Sequence, residues 1–276
     1  MTLPLKNFDR LCLHTITTKP WPLEEAVRRY RAAGIKGITV WRETLEGRDA
    51  AAAGRMIREQ GLSIASLCRG GFFPALTGKD RIRAIDENRR CIDQAAALGA
   101  PLLVLVCGAV PGQSLTKSRR QIADGIAEIL PHAAAAGVKL GIEPLHPMYA
   151  ADRSAINTIS QARAICDDVK SPWLGIVVDV YHVWWDDWLK HEITACGHER
   201  SLFAFHISDW KTPVDDVLND RALMGQGCIP LRQIRRWIEA AGFTGFIEVE
   251  IFSKRHWARD QTTFVEDIKT AYLEHA

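Results

Sequence analysis

Residues 174–186 read LGIVVDVYHVWWD. The first five are apolar and β-rich, the signature of a strand buried on both faces. Asp179 then stands at the end of that strand, with His182 three residues later. A carboxylate buried at the mouth of an apolar strand costs several kcal/mol unless a partner compensates its charge. The rest of the chain has to supply that partner.

Seven further runs resemble this strand: LCLHTI (11–16), IKGITVW (35–41), LSIASLC (62–68), PLLVLVC (101–107), VKLGIE (138–143), LFAFHI (202–207) and GFIEVEI (245–251). Amphipathic helical stretches separate them, for example 22–34, 79–99 and 230–242. Several stretches close at a glycine just before the next strand, at Gly34, Gly61, Gly99, Gly137 and Gly242. That is the helix-ending glycine followed by an αβ turn. Strand–helix repetition implies a parallel sheet with right-handed crossovers. Eight units in one chain of 276 residues predict a single-domain α/β fold over 1–276, a closed (β/α)8 TIM barrel. A doubly wound open sheet would carry a glycine-rich phosphate loop after its first strand. Here that strand runs into HTITTKPWP.

Composition excludes several classes. Apolar residues make up 47% and the net charge is +2, which offers no footprint for a polyanionic partner. The opening MTLPLKNFDRLCLH lacks the apolar core of a signal peptide, and no run approaches a membrane span. Seven cysteines without a C-x-x-C pair read as reduced thiols, so a cytoplasmic location is expected.

In a barrel the C-terminal strand ends converge on one mouth. The first strand ends in His14, the second in Trp41-Arg42-Glu43, and the third in Cys68-Arg69. The last four end in Glu143, Asp179, His206 and the pair Glu248/Glu250. A lone strand-end acid is commonly a helix N-cap, and a lone histidine commonly structural. Four successive ligand types at equivalent places call for a shared explanation. Three converging carboxylates repel one another, and a divalent cation removes that penalty. Three oxygen donors and one imidazole suit Mn²⁺, Mg²⁺, Co²⁺ or Zn²⁺. Alternation places Glu248 and Glu250 on one face, and Glu250, nearer the mouth, is the better ligand.

These segments resemble the xylose-isomerase-like superfamily of metal-dependent TIM barrels, the sugar phosphate isomerases/epimerases. The resemblance is sharpest in IEPLHP (142–147), VDVYHVWWD (178–186), FHISDW (205–210), DRALMGQGCIP (220–230) and GFIEVEIFS (245–253). It implies one divalent metal bound by Glu143, Asp179, His206 and Glu250. It also implies that Glu143 and Glu250 act as the acid/base pair on a small, sugar-like polyhydroxy carbonyl compound. His182, Arg221 and His146 are the expected substrate contacts, with Trp41 stacking a sugar face and His14 a further pocket candidate. A lyase of the inosose-dehydratase kind and a non-catalytic ligand-binding barrel are the alternatives. The three-zinc endonuclease IV pattern fails, because its late Asp-Arg-His run is Asp220-Arg221-Ala222 here, so no nucleic-acid partner is expected. Residues 225–227, GQG, form a candidate amide nest for a phosphate. Trp184 and Trp188, at helical spacing, are expected to pack on a neighbouring element. Trp184–Trp188 is also the candidate contact for a homo-oligomer.

Overall fold

The structure is a computed structural model that describes residues 5–276; the first four residues of the expected domain lie outside it. Eight parallel strands form a closed barrel in chain order: β1 (Leu11–His14), β2 (Gly37–Trp41), β3 (Ser63–Gly71), β4 (Leu102–Val106), β5 (Lys139–Glu143), β6 (Leu174–Asp179), β7 (Leu202–Ile207) and β8 (Ile247–Val249). β8 pairs with β1 and completes the closure. The expected (β/α)8 architecture is therefore the one observed.

Helices α1 (Leu23–Ala32), α2 (Ala50–Glu59), α3 (Gly78–Leu98), α4 (Leu115–Ala135) and α5 (Ile159–Val169) link the first six strands. The short α6 (Val180–Val183) and α7 (Leu189–His198) follow β6, α8 (Leu231–Ala240) precedes β8, and α9 (Lys254–Trp257) and α10 (Gln261–His275) close the chain. Local chemistry starts these helices where polar caps stand. Asp49, Thr77, Ser114, Thr158 and Asp260 each accept a hydrogen bond from an amide of the first turn. Gly99 ends α3 at φ 79°, in the left-handed region. In α8, Leu231, Ile234 and Ile238 form the buried stripe.

The main apolar core lies between the strands and the helical ring. A smaller cluster that includes Leu102, Val104, Val177 and Ala204 is separate from it. β3 runs three residues past its expected end. A register shift between Cys68 and Gly70 carries the chain on to Gly71. There a Cβ would lie 1.9 Å from the Val106 carbonyl oxygen, and φ is 108°. Only glycine lets the two backbones meet so closely. The buried Asn88 amide brackets that peptide, accepting from Gly71 N at 2.6 Å and donating to Gly71 O at 2.7 Å.

Two expectations need correction. Trp184 does pack on the core beside Trp210, but the Trp188 side chain is 68% exposed. The α-helical spacing that would align them is broken between α6 and α7. The GQG amides are not open to a ligand. The buried Asp209 carboxylate accepts from Gly225 N, Gly227 N and Ile229 N at 2.9–3.0 Å, so the turn serves to fold its own loop.

Candidate active site

Register alone brings the candidate ligands together. Asp179 of β6 pairs with His206 of β7, and His206 pairs with Glu248 of β8. Glu143 ends β5, beside Val106 of β4. Glu250 lies one alternation beyond Glu248, and its amide donates to Ile207 O at 3.0 Å. Ligand atoms of Glu143, Asp179, His206 and Glu250 all fall within 4.8 Å of one another, and all four residues are buried. His206 Nδ1 is 3.0 Å from Glu143 Oε1. Asp179 serves twice: Oδ1 accepts from Tyr181 N and caps α6, while Oδ2 faces the cluster.

Arg221 enters this cluster as well. The loop between β7 and α8 carries it, stitched down by bridges from Asp209 to Ala222 and from Asp220 to Ser253. Its Nη1 donates to Asp179 Oδ2 and Glu250 Oε2, both at 2.8 Å, and to Glu250 O at 3.1 Å. Nη2 donates to His182 Nε2 at 3.1 Å. The guanidinium lies between the rings of Tyr181 (4.5 Å) and Phe252 (5.1 Å). One guanidinium does not balance three carboxylates. Burial raises the Asp179 carboxyl to about 7; Arg221 opposes that rise, while Glu250 and Glu143 add to it. The donor set therefore fits a cation that adds positive charge: three buried carboxylates and an imidazole nitrogen lie within reach of one point.

Beneath the cluster lies a second polar layer. Glu248 Oε2 accepts from Thr39 Oγ1, lies 3.2 Å from His14 Nε2 and faces His206 Nε2 at 3.8 Å. His14 Nδ1 is 3.0 Å from Glu250 Oε1 and 3.2 Å from Trp41 Nε1. Glu248 thus hydrogen-bonds the far nitrogen of His14, whose near nitrogen meets Glu250, and lies behind the far nitrogen of His206, which is buried without a hydrogen-bond partner among the described residues. Sequence alternation put Glu248 behind Glu250, but its hydrogen bond to His14 and its place behind His206 are visible only in the closed barrel.

Above the cluster lies a narrow cavity of about 30 Å³. Glu143, Glu250, His182 and Arg221 line it with Trp41, Tyr149 and Phe252. His14 is fully buried and does not line it; it reaches the site through Glu250. His146 does not line it either. Its ring packs against Trp210 (4.8 Å) and Trp185 (5.9 Å), and its Nδ1 accepts from Met148 N. Burial and Arg221 hold His182 well below the ordinary histidine range, so it is neutral and can accept from the arginine. Sequence reasoning passed over two charged residues in this lining, Arg69 and Arg153. Their only signal was position: one follows Cys68 at the third strand end, and the other lies in the loop after β5.

Residues 27–271 match the family described as xylose isomerase-like TIM barrel, and the chain belongs to that family. Among curated proteins it is similar to an inosose isomerase of Halalkalibacterium halodurans, with 28% identity over 68% of this chain and 64% of that relative. The chain thus spans under two thirds of that relative's length. Among solved structures, protein SMc04130 from Sinorhizobium meliloti 1021 shares 46% identity, with TM-score 0.94, over 98% of this chain and 99% of the other. The IolI protein, solved with a bound zinc atom, has the same fold, with TM-score 0.83 and 20% identity over 96% of this chain and 97% of the other. No helix among the described residues is long and apolar enough to cross a membrane.

Proposed function

We propose that this member of the xylose isomerase-like TIM barrel family is a divalent-metal-dependent isomerase or epimerase of a small polyhydroxy carbonyl compound. One observation carries the reading: Glu143 and Glu250, from β5 and the end of β8, both line the cavity and both belong to the four-residue ligand cluster. Glu143, Asp179, His206 and Glu250 would hold the ion. When bound, a divalent cation supplies Lewis acidity and lowers the cost of negative charge developing on the substrate carbonyl oxygen. The protein's own groups move the proton. One glutamate takes it from the carbon next to the carbonyl, and the other returns a proton to the opposite face or the neighbouring carbon. No atom is gained or lost overall. Arg221 and His182 bind substrate oxygens, and Trp41 offers an apolar wall. The inosose isomerase activity of the Halalkalibacterium relative and the zinc of the IolI structure support this reading. We read the protein as acting in the cytoplasm on a small molecule, with neither nucleic acid nor membrane as partner.

The test is solvent exchange. Wild-type protein loaded with Mn²⁺ is incubated in D₂O with a panel of ketoses, cyclitols and their oxidised or phosphorylated forms, and NMR follows C–H loss. Glu250→Gln is expected to slow exchange by about 10²–10⁴-fold. Full exchange in that variant would remove Glu250 from the acid/base pair. Loss of water from the product would assign the same residues to a lyase.

A further inference from the structure

Three arginines line the cavity: Arg69, Arg153 and Arg221. Arg221 is 5% exposed and is committed to Asp179 and Glu250. The other two are half-buried, and neither makes a side-chain hydrogen bond or ion pair with another group among the described residues. The Arg69 guanidinium rests on rings, 4.6 Å from the centre of Phe72 and 5.9 Å from that of Trp41. Arg153 rests on Tyr149 at 5.8 Å. Burial and the neighbouring Arg153 charge both weaken Arg69's hold on its proton. Two guanidiniums that repel each other, held by aromatic faces with their donors unused, form a fork without its anion.

The charges around them do not supply that anion. A dication and Arg221 together match the three carboxylates of Glu143, Asp179 and Glu250; the fourth, Glu248, is held by Thr39 and His14, so none of the four is ion-paired to Arg69 or Arg153. Glu43, which acts on Arg69 from the neighbouring hollow, is solvent-exposed and forms no ion pair with it. The amide nest that could otherwise hold a phosphate is filled by Asp209.

We infer that the substrate carries an oxyanion terminus, a carboxylate or a phosphate, and that Arg69 and Arg153 bind it at the rim of the Glu143–Glu250 cavity. This rests on the isomerase reading and narrows its substrate class. It sets the chain apart from a strict inosose enzyme, since inosose carries no charge. A terminus held by two guanidiniums also fixes which carbon of the chain lies between the two glutamates, so the same pair contributes to regiochemistry.

The experiment is binding, read separately from turnover. Isothermal titration measures the affinity of wild-type protein for D-fructose, D-fructose 6-phosphate and 5-keto-D-gluconate, and for inorganic phosphate as the smallest probe. At least one of the two anionic sugars is expected to bind about tenfold or more tighter than fructose. That preference should weaken as salt is raised, and which of the two binds better separates phosphate from carboxylate. Arg69→Gln and Arg153→Gln are each expected to erase it, and Arg69→Lys to keep part of it. No preference for an anionic sugar in the wild type, absence of binding included, overturns the inference without any variant having to fold. So does a preference that survives both Gln substitutions. Proton exchange on neutral sugars without anion preference would leave the isomerase reading intact and sink only this one. Anion preference without exchange on any compound would do the reverse.

Discussion

Arg221 is the place where the charge balance of the site can be measured. Arg221→Met removes the charge and keeps most of the volume. In the wild type the guanidinium makes two 2.8 Å ion pairs, to Asp179 and Glu250, with all three side chains buried. Removing one partner of such a buried set costs about 3–5 kcal/mol, because charges are left uncompensated. At about 2.1 cal/mol/K per residue, 276 residues give an unfolding entropy of about 0.6 kcal/mol/K, so the melting temperature should fall by about 5–9 °C. The deficit should depend on pH with a definite sign. Asp179 already titrates at about 7, above its ordinary 3.8, because burial and the neighbouring carboxylates disfavour its charge. A carboxyl raised in the folded state makes that state bind extra protons, so its penalty is absent below 3.8, grows as pH rises towards 7 and is constant above it. Without Arg221 the rise is larger. The variant should therefore lie closest to wild type near pH 5 and furthest from it near pH 8. Mn²⁺ should recover more stability in the variant than in the wild type, because it supplies the missing positive charge. The assay is thermal unfolding by circular dichroism, with chelator and with Mn²⁺, at both pH values. A variant melting within about 1 °C of wild type in chelator at pH 8 would refute the reasoning, as would a deficit that grows towards acid.

Glu248→Gln should weaken Mn²⁺ binding by about 10–100-fold, read by competition with a fluorescent chelator, because Glu248 holds His14, the partner of Glu250, and places its charge 3.8 Å behind His206. Asp209→Asn leaves one acceptor oxygen for four amides, those of Trp210, Gly225, Gly227 and Ile229, and should cost roughly 2–6 kcal/mol by urea unfolding. His256 is stacked on Phe264. Burial, Arg255 and Arg259 outweigh Asp267 and Asp220 and pull it from 6.5 down to about 4. Folding then keeps it neutral, so its contribution is complete above pH 6.5 and is lost as pH falls towards 4. His256→Gln should flatten that part of the stability profile, and an unchanged acid slope would count against the assignment.

The fold was legible because its signals are local. Each β-rich run, each polar cap and each glycine such as Gly99 reports on its own neighbourhood, and eight repeats leave few closures open. The convergence of the candidate ligands was legible for the same reason. Glu143, Asp179 and His206 sit at strand ends, where parallel register and closure leave them no other place to converge. Strand ends that depend on non-local contact were misjudged. β3 continues to Gly71 because the backbone of β4 lies against it, and no property of residues 69–71 alone announces that.

By itself the sequence determined the barrel, the side of it that carries chemistry, and four residues able to share a cation. Period-two alternation and the repeated unit are properties of the chain's own covalent order. The tertiary structure decided which charges neutralise which. Arg221 is 42 residues from Asp179 yet shares its carboxylate, and Glu248 stands behind His14 across the seam between β8 and β1. Asp209 fills a nest that looked open, while Arg69 and Arg153 line the cavity without an ion pair to any acid among the described residues. Electrostatic pairing depends on distance in space and on exclusion of water, and neither exists until the strands have closed.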